Sequence, residues 1–170
     1  VITEHLITDN TFISRVTLSL FKSMLLIGLR LCEFPSAQLI EDERKLIVKN
    51  AKATNGRAHG EYRTLFLRSF NDIELTHIRL AISYAIYAES GELKEKYGIS
   101  NYQSLLTKVR TKLYNIRKNH LRTSKGAITM YSARHQFMAN IKKVYSREEV
   151  AALVGHATDI TAGRHYGRKR

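Results

Sequence analysis

Apolar residues recur at helical spacing in three long stretches. The clearest runs from Asn101 to His120, where Tyr102, Leu105, Leu106, Val109, Leu113 and Ile116 fall on one stripe, the period of an amphipathic α-helix. Phe12, Val16, Leu20, Met24 and Ile27 predict a second helix from about Thr11 to Arg30, with Thr8 or Asp9 available as its cap. Its end, Met24 to Arg30, is almost wholly apolar, so Arg30 is delivered from the core to its rim. The helix is expected to resume or bend through Leu31 to Phe34 and to stop at Pro35, the only proline. A third helix is predicted over Ile73 to Ala88, with Leu75, Ile78, Ile82, Ala85 and Ile86 on one face.

Between the first two helical stretches to appear along the chain, the pattern shifts to strands. Gln38 to Ile40 and Lys45 to Lys49 read as short strands around the acidic turn Glu41 to Arg44. Glu61 to Leu67 alternates as a returning strand after Asn55-Gly56, a strong turn signal. A three-stranded antiparallel sheet follows, with Lys52 near the tip of its last hairpin. Residues 1 to 10 read as a short helix or a lead-in segment, Gly91 to Gly98 as a polar connection and Lys125-Gly126 as a turn. Ser132 is placed to cap a helix running to about Lys143. Ser146 and Glu149 form a capping box with Gly155 as the stop, and Asp159 is placed to cap a last short helix carrying Tyr166. The expected fold class is mainly α with a small antiparallel β-sheet. The 170 residues are long enough for a single domain with its own core.

Charge changes the picture. Lys and Arg number 28 against 15 Asp and Glu, a formal net charge of +13. Such an excess points to a polyanion, most simply nucleic acid. It is also unevenly placed: no acidic residue lies between Glu95 and Glu148, while twelve Lys and Arg do. The basic flank of the 101 to 120 helix (Lys108, Arg110, Lys112, Arg117 and Lys118) reads either as a DNA-backbone contact or as a solvated face. Cys32 is the sole cysteine, which excludes an internal disulfide and a cysteine-based zinc site and suits a reducing compartment. No apolar run reaches membrane-spanning length and no signal peptide opens the chain, so no membrane partner is expected. Val1 is not an initiator methionine, and the chain is expected to be part of a longer protein with another domain upstream.

Five polar residues stand at predicted element ends: Arg30, Lys52, Arg134, His156 and Tyr166, the last three at separations of 22 and 10 residues. Two arginines can each grip a phosphate with planar paired donors. The non-bridging oxygens gain charge in a pentavalent transition state, so fixed guanidiniums bind it better than the ground state. A histidine can donate to the same phosphate. Tyrosine is a poor nucleophile at its ordinary pKa of about 10, but arginines nearby make the phenolate easier to form. Its attack gives a covalent phosphotyrosine, and a lysine on a hairpin can protonate the leaving 5′ oxygen. The scheme requires no metal and no nucleotide cofactor.

These residues also carry a family resemblance. Gly28-Leu29-Arg30-x-x-Glu33, Lys52 22 residues after Arg30, Ser132-Ala-Arg134-His-Gln-Phe137, Leu153-Val-Gly155-His156 and Tyr166 come in the order seen in tyrosine recombinases. The chain therefore resembles the catalytic domain of the phage-integrase-like site-specific recombinases over about residues 11 to 167. The resemblance implies a mostly helical catalytic domain with a small sheet. It implies Arg30 and Arg134 as the phosphate clamp, His156 as a phosphate donor, Lys52 as general acid and Tyr166 as nucleophile. Double-stranded DNA is then the substrate, cut one strand at a time with a 3′-phosphotyrosyl link inside a homo-tetramer and through a Holliday junction. It implies an upstream core-binding domain outside this chain, and a bacterial or phage-encoded protein acting in the cytoplasm at the nucleoid.

Two positions depart from that pattern. Tyr131 stands where the family usually has a histidine, and a phenol there either hydrogen-bonds a phosphate oxygen or packs. Only Gly167 to Arg170 follow Tyr166, whereas many relatives continue into a segment that docks on a neighbour. Glu33 reads as a carboxylate orienting an arginine. Lys45 and Lys49 rival Lys52, and Tyr145 rivals Tyr166. His135 and His165 read as packing or surface residues, and Tyr62, Tyr84, Tyr87, Tyr102 and Tyr114 as core or interface. Two other functions use the same features: a type IB topoisomerase-like nicking and resealing enzyme, and a basic DNA-binding accessory module without chemistry.

Overall fold

The computed structural model describes residues 2–42, 44–51, 60–120 and 128–155. The protein is mainly helical with one small antiparallel sheet. The elements in order are α1 (Ile2–Asp9), α2 (Phe12–Ile27), a 3-10 helix (Leu31–Ser36), β1 (Gln38–Ile40), β2 (Lys45–Lys49) and β3 (Tyr62–Phe66). α3 (Asp72–Glu89), α4 (Lys94–Tyr97), α5 (Tyr102–His120), α6 (Met130–Ile141) and α7 (Arg147–Val154) complete them. Among the described residues no helix is long and apolar enough to cross a membrane.

α2 is the central helix and packs on α1, α3, α5 and α6. Its cap is Thr11, whose hydroxyl accepts from the Ser14 amide, and not Thr8 or Asp9, which belong to α1. The helix ends earlier than its apolar run suggests. Gly28 takes a left-handed conformation at φ 61° and closes it, so Arg30 stands beyond the helix in extended backbone. A Cβ on Gly28 would run into the ring of Phe137 on α6, which fixes how closely the two elements pass. The chain then re-enters helical geometry as the 3-10 turn, and Pro35 lies inside it instead of before its end.

The stripe on α5 is buried in full: Tyr102, Leu105, Leu106, Val109, Leu113 and Ile116 all face inward. Burial pushes the Tyr102 phenol up from its ordinary range, and its hydroxyl donates to the Leu31 carbonyl at 2.9 Å. α3 is rotated from its expected face. Ile78, Ala81, Ile82, Ala85 and Ala88 are inside, while Ile86 is exposed. The small residues Ala81, Ala85 and Ala88 make up much of the face that α3 buries against α2, the 3-10 helix and α5. The polar connection 91 to 98 contains the single turn α4. Tyr62, Tyr87 and Tyr114 are exposed and so do not belong to the core.

The sheet order is β1-β2-β3, antiparallel throughout, with Lys45 opposite Phe66 and Lys49 opposite Tyr62. α6 begins at Met130 with Thr129 as its cap, so Ser132 lies inside the helix; its hydroxyl accepts from the Thr129 amide at 3.0 Å. α7 follows its expected signals: Ser146 accepts from the Glu149 amide, the Glu149 carboxylate accepts from the Ser146 amide, and Gly155 at φ 67° ends the helix. Asn55-Gly56, Lys125-Gly126 and Asp159 lie outside the described residues.

Candidate functional site

Beneath the sheet, where the start of the 3-10 helix, the base of the β2–β3 hairpin and the ends of α2 and α7 meet, polar side chains are buried together. Arg30, Glu33, Asn50, Arg63 and Arg134 are all shielded from water. Burying charges is costly unless each finds a partner, and here they do. Arg30 donates through Nη1 to Glu33 Oε1 at 2.8 Å, and its backbone amide donates to Oε2 at 2.8 Å. Arg63 approaches the same carboxylate with both terminal nitrogens, at 3.2 Å and 2.8 Å, and also donates to Asn50 Oδ1. The Ala51 amide adds a further bond to Glu33 Oε1 at 3.3 Å. Asn50 Nδ2 closes the hairpin base on the Gly60 carbonyl at 3.0 Å. Burial alone would push the Glu33 carboxyl up. The hydrogen bonds and charge of Arg63, then those of Arg30, outweigh it and hold the group down at about 2.

Arg134 reaches this cluster from α6. It is 1 % exposed and donates to the Gly28 carbonyl through Nη1 and to the Val154 carbonyl through Nη2 at 3.3 Å. Arg30 Nη1 lies 3.4 Å from the same Val154 oxygen. The two arginines predicted as a clamp therefore converge on one acceptor, two residues ahead of His156. Among the described residues the side chain of Arg30 donates through Nη1, to Glu33 and to the Val154 carbonyl. Gly155 seals the other side. A Cβ there would collide with Asn50 Oδ1 and come within 2.8 Å of Arg63 Nη1. A groove of about 460 Å³ opens next to it between β3 and α7, lined by Arg63, Thr64, Tyr145, Glu149, Ala152 and Leu153.

Glu33 is thus hydrogen-bonded to both Arg30 and Arg63. Tyr131 lies in the first turn of α6, half exposed, while Arg134, one turn on, points inward. Lys52, His156 and Tyr166 lie outside the described residues. On α5, Lys108, Arg110 and Lys118 are exposed, Lys108 and Arg110 on opposite sides of the buried stripe and Lys118 on the back. Lys112 instead pairs with Asp9 of α1, and its ammonium holds the Asp9 carboxyl far below the usual carboxylate range. Arg117 folds over the Tyr114 ring at 5.2 Å. Among the described residues no three His, Cys, Asp or Glu side chains come together to hold a metal ion.

Sequence reasoning missed Arg63 and Asn50. A signal for Arg63 existed: in the alternation of β3 it shares the inward face with Leu65, and a cation on an apolar face needs a buried carboxylate. Asn50, just past β2, had no such mark. No family model, curated protein or solved structure matches the chain.

Proposed function

We propose that the chain is the catalytic domain of a tyrosine-type site-specific DNA recombinase, with the integrase-like catalytic fold. The observation that carries this reading is the meeting of Arg30 and Arg134 at the Val154 carbonyl, just ahead of Gly155-His156. Two cationic forks rest there on a neutral oxygen. A phosphate oxyanion accepts such donors in charge-assisted bonds about twice as strong as neutral ones, so a phosphodiester can take over from the carbonyl. Glu33 holds both Arg30 and the Ala51 amide, which ties the clamp to the hairpin residue directly before Lys52.

In the proposed reaction Tyr166 attacks phosphorus as the phenolate, having lost its proton to solvent. A phosphorus–oxygen bond to Tyr166 forms while the bond to the 5′ oxygen breaks. Lys52 gives that oxygen its proton, and His156 and the two arginines hold the charge on the non-bridging oxygens. Resealing runs in reverse, with a 5′ hydroxyl as attacker and Tyr166 as leaving group. The substrate is double-stranded DNA, recombined in a homo-tetramer, and the basic flank of α5 is the expected backbone contact.

Covalent trapping tests this. Nicked DNA that loses its cleaved fragment is mixed with the chain and resolved on a denaturing gel. A shifted protein–DNA band is expected, with none from Tyr166→Phe. A band that persists in Tyr166→Phe refutes the assignment of the nucleophile. Relaxation of plasmids of any sequence would indicate a topoisomerase-like enzyme. DNA binding that survives joint loss of Arg30, Arg134 and Tyr166, with no covalent band from the parent, would indicate an accessory module.

A further inference from the structure

The side of the sheet turned away from the arginine cluster has a different character. On β3, Tyr62 and Phe66 point outward and are 54 % and 61 % exposed. Thr64 stands between them and is exposed as well. Their antiparallel partners on β2 are Lys49 opposite Tyr62 and Lys45 opposite Phe66. Directly paired residues share a face, so aromatic rings and ammonium groups alternate across it. The Lys45 ammonium and the Arg68 guanidinium each lie 5.9 Å from the centre of the Phe66 ring. Both cations stand over the ring, which is still 61 % exposed. Exposed aromatic rings are large apolar surfaces that gain free energy when a flat apolar partner stacks on them.

We propose that this outer sheet face is a binding platform for unpaired, single-stranded nucleic acid, with Tyr62 and Phe66 each stacking a base and Lys45, Lys49 and Arg68 holding the backbone. Charge and shape point to the same occupant. A base offers a planar apolar face, and its phosphate offers the anion that the flanking cations suit. The bases of a duplex are stacked on one another and show no free face, so only an unpaired strand can use the rings. The two rings are four residues apart on one strand, about 13 Å. That is well beyond the 3.4 Å rise of a stacked strand, so they engage bases that are splayed apart. Lys49 is paired with Glu61 at 3.5 Å, but both side chains are more than half exposed. Such surface pairs are weak in water, and a phosphate competes with Glu61 for the lysine. Tyr62 and Phe66 lie on the face of β3 opposite the buried Arg63, so the proposal holds whether or not the chain cleaves DNA.

The chain contains no tryptophan, which makes a direct test possible. Phe66→Trp places a single indole on the platform. Labelled oligothymidylate is expected to quench its fluorescence on binding, and a duplex of equal length is expected to leave it bright. In anisotropy titrations Tyr62→Ala and Phe66→Ala should each weaken single-strand binding on the order of tenfold while duplex affinity stays unchanged. Both side chains are largely in water, so neither change threatens the fold, and circular dichroism checks this. An indole that stays bright at saturation overturns the proposal. So do alanine variants that bind single strands like the parent, and so does a loss shared equally by single strands and duplex.

Discussion

Leu105 and Arg134 are both shut away from water, one on the buried stripe of α5 and the other in the cluster at the end of α2. Leu105 is held by contact alone. Its neighbours along α5, at helical spacing, are apolar, and any close-packed hydrocarbon of similar volume satisfies them. Arg134 is held by direction: its donors meet the Gly28 and Val154 carbonyls at particular angles, and Arg30 shares one of those oxygens. A seam resists loss of volume, whereas a polar cluster resists loss of a partner. Only the second can exchange one acceptor for another without unpacking, which is the property a ligand site needs.

The largest effect that separates the two regions is expected from Glu33→Gln set against Leu105→Ala. At pH 7 each should lower the unfolding free energy by about 3 kcal/mol, one by leaving Arg30 and Arg63 without their carboxylate and the other by opening a cavity. Their pH dependence should differ. Glu33 titrates at about 2 in the folded chain against an ordinary 4.5. A depressed folded value stabilises fully above the unfolded value, and that stabilisation is lost as pH falls through the folded one. The gap between parent and Glu33→Gln should therefore narrow from about pH 4.5 down to about pH 2 in urea titrations, while the Leu105→Ala gap stays constant. Parallel curves for both variants would mean that Glu33 contributes no charge interaction to the fold.

The two regions were also unequally legible in the sequence. The α5 seam was readable to the residue, because period alone reports which side of a helix is apolar. The α7 box and its stop at Gly155 were readable for a similar reason: both are local signals, complete within the ten residues from Ser146 to Gly155. α3 was harder because its inner face is built from Ala81, Ala85 and Ala88, which carry little hydrophobic weight, and Ile86 drew the expected face aside. In the cluster, Arg30, Glu33 and Arg134 were legible as a set through motif order. Arg63 and Asn50 were not, because their roles depend on the β2–β3 register and on the approach of Gly155, and neither is a local property. The end of α2 was misjudged because the apolar run continues past Gly28, whose left-handed conformation ends the helix and whose missing side chain makes room for Phe137.

A smaller effect comes from two glycines of the same backbone class. Gly155 and Gly98 have φ of 67° and 62° and both end a helix. Gly98→Ala meets nothing within 4 Å, so it should cost only the backbone strain, about 1 kcal/mol. Gly155→Ala adds a collision with Asn50 and Arg63, and the total should reach about 3 kcal/mol. Chemical denaturation of the two variants measures the difference. Equal losses would show that α7 does not press on the hairpin base.

The finest test uses two helix caps of one kind. Asn71 accepts from the Glu74 amide at 3.0 Å at the start of α3, and Ser146 accepts from the Glu149 amide at 3.2 Å at the start of α7. Alanine at either should cost about 1 kcal/mol. The consequences should spread differently. α3 has 18 residues packed along α2, so loss of its cap frays a first turn and stops there. α7 has eight residues, and its apolar side rests on a small separate cluster of Phe137, Met138, Val150 and Val154. A helix that short has little stability of its own, so the lost cap loosens it as a unit. Val154, whose carbonyl seats Arg30 and Arg134, is its last residue. Hydrogen exchange should accordingly quicken about fivefold across all of α7 in Ser146→Ala, but only in the first turn of α3 in Asn71→Ala. If α7 exchanges as slowly as before, its position is set from the arginine side, and the carbonyl of Val154 is fixed by the clamp and not the reverse.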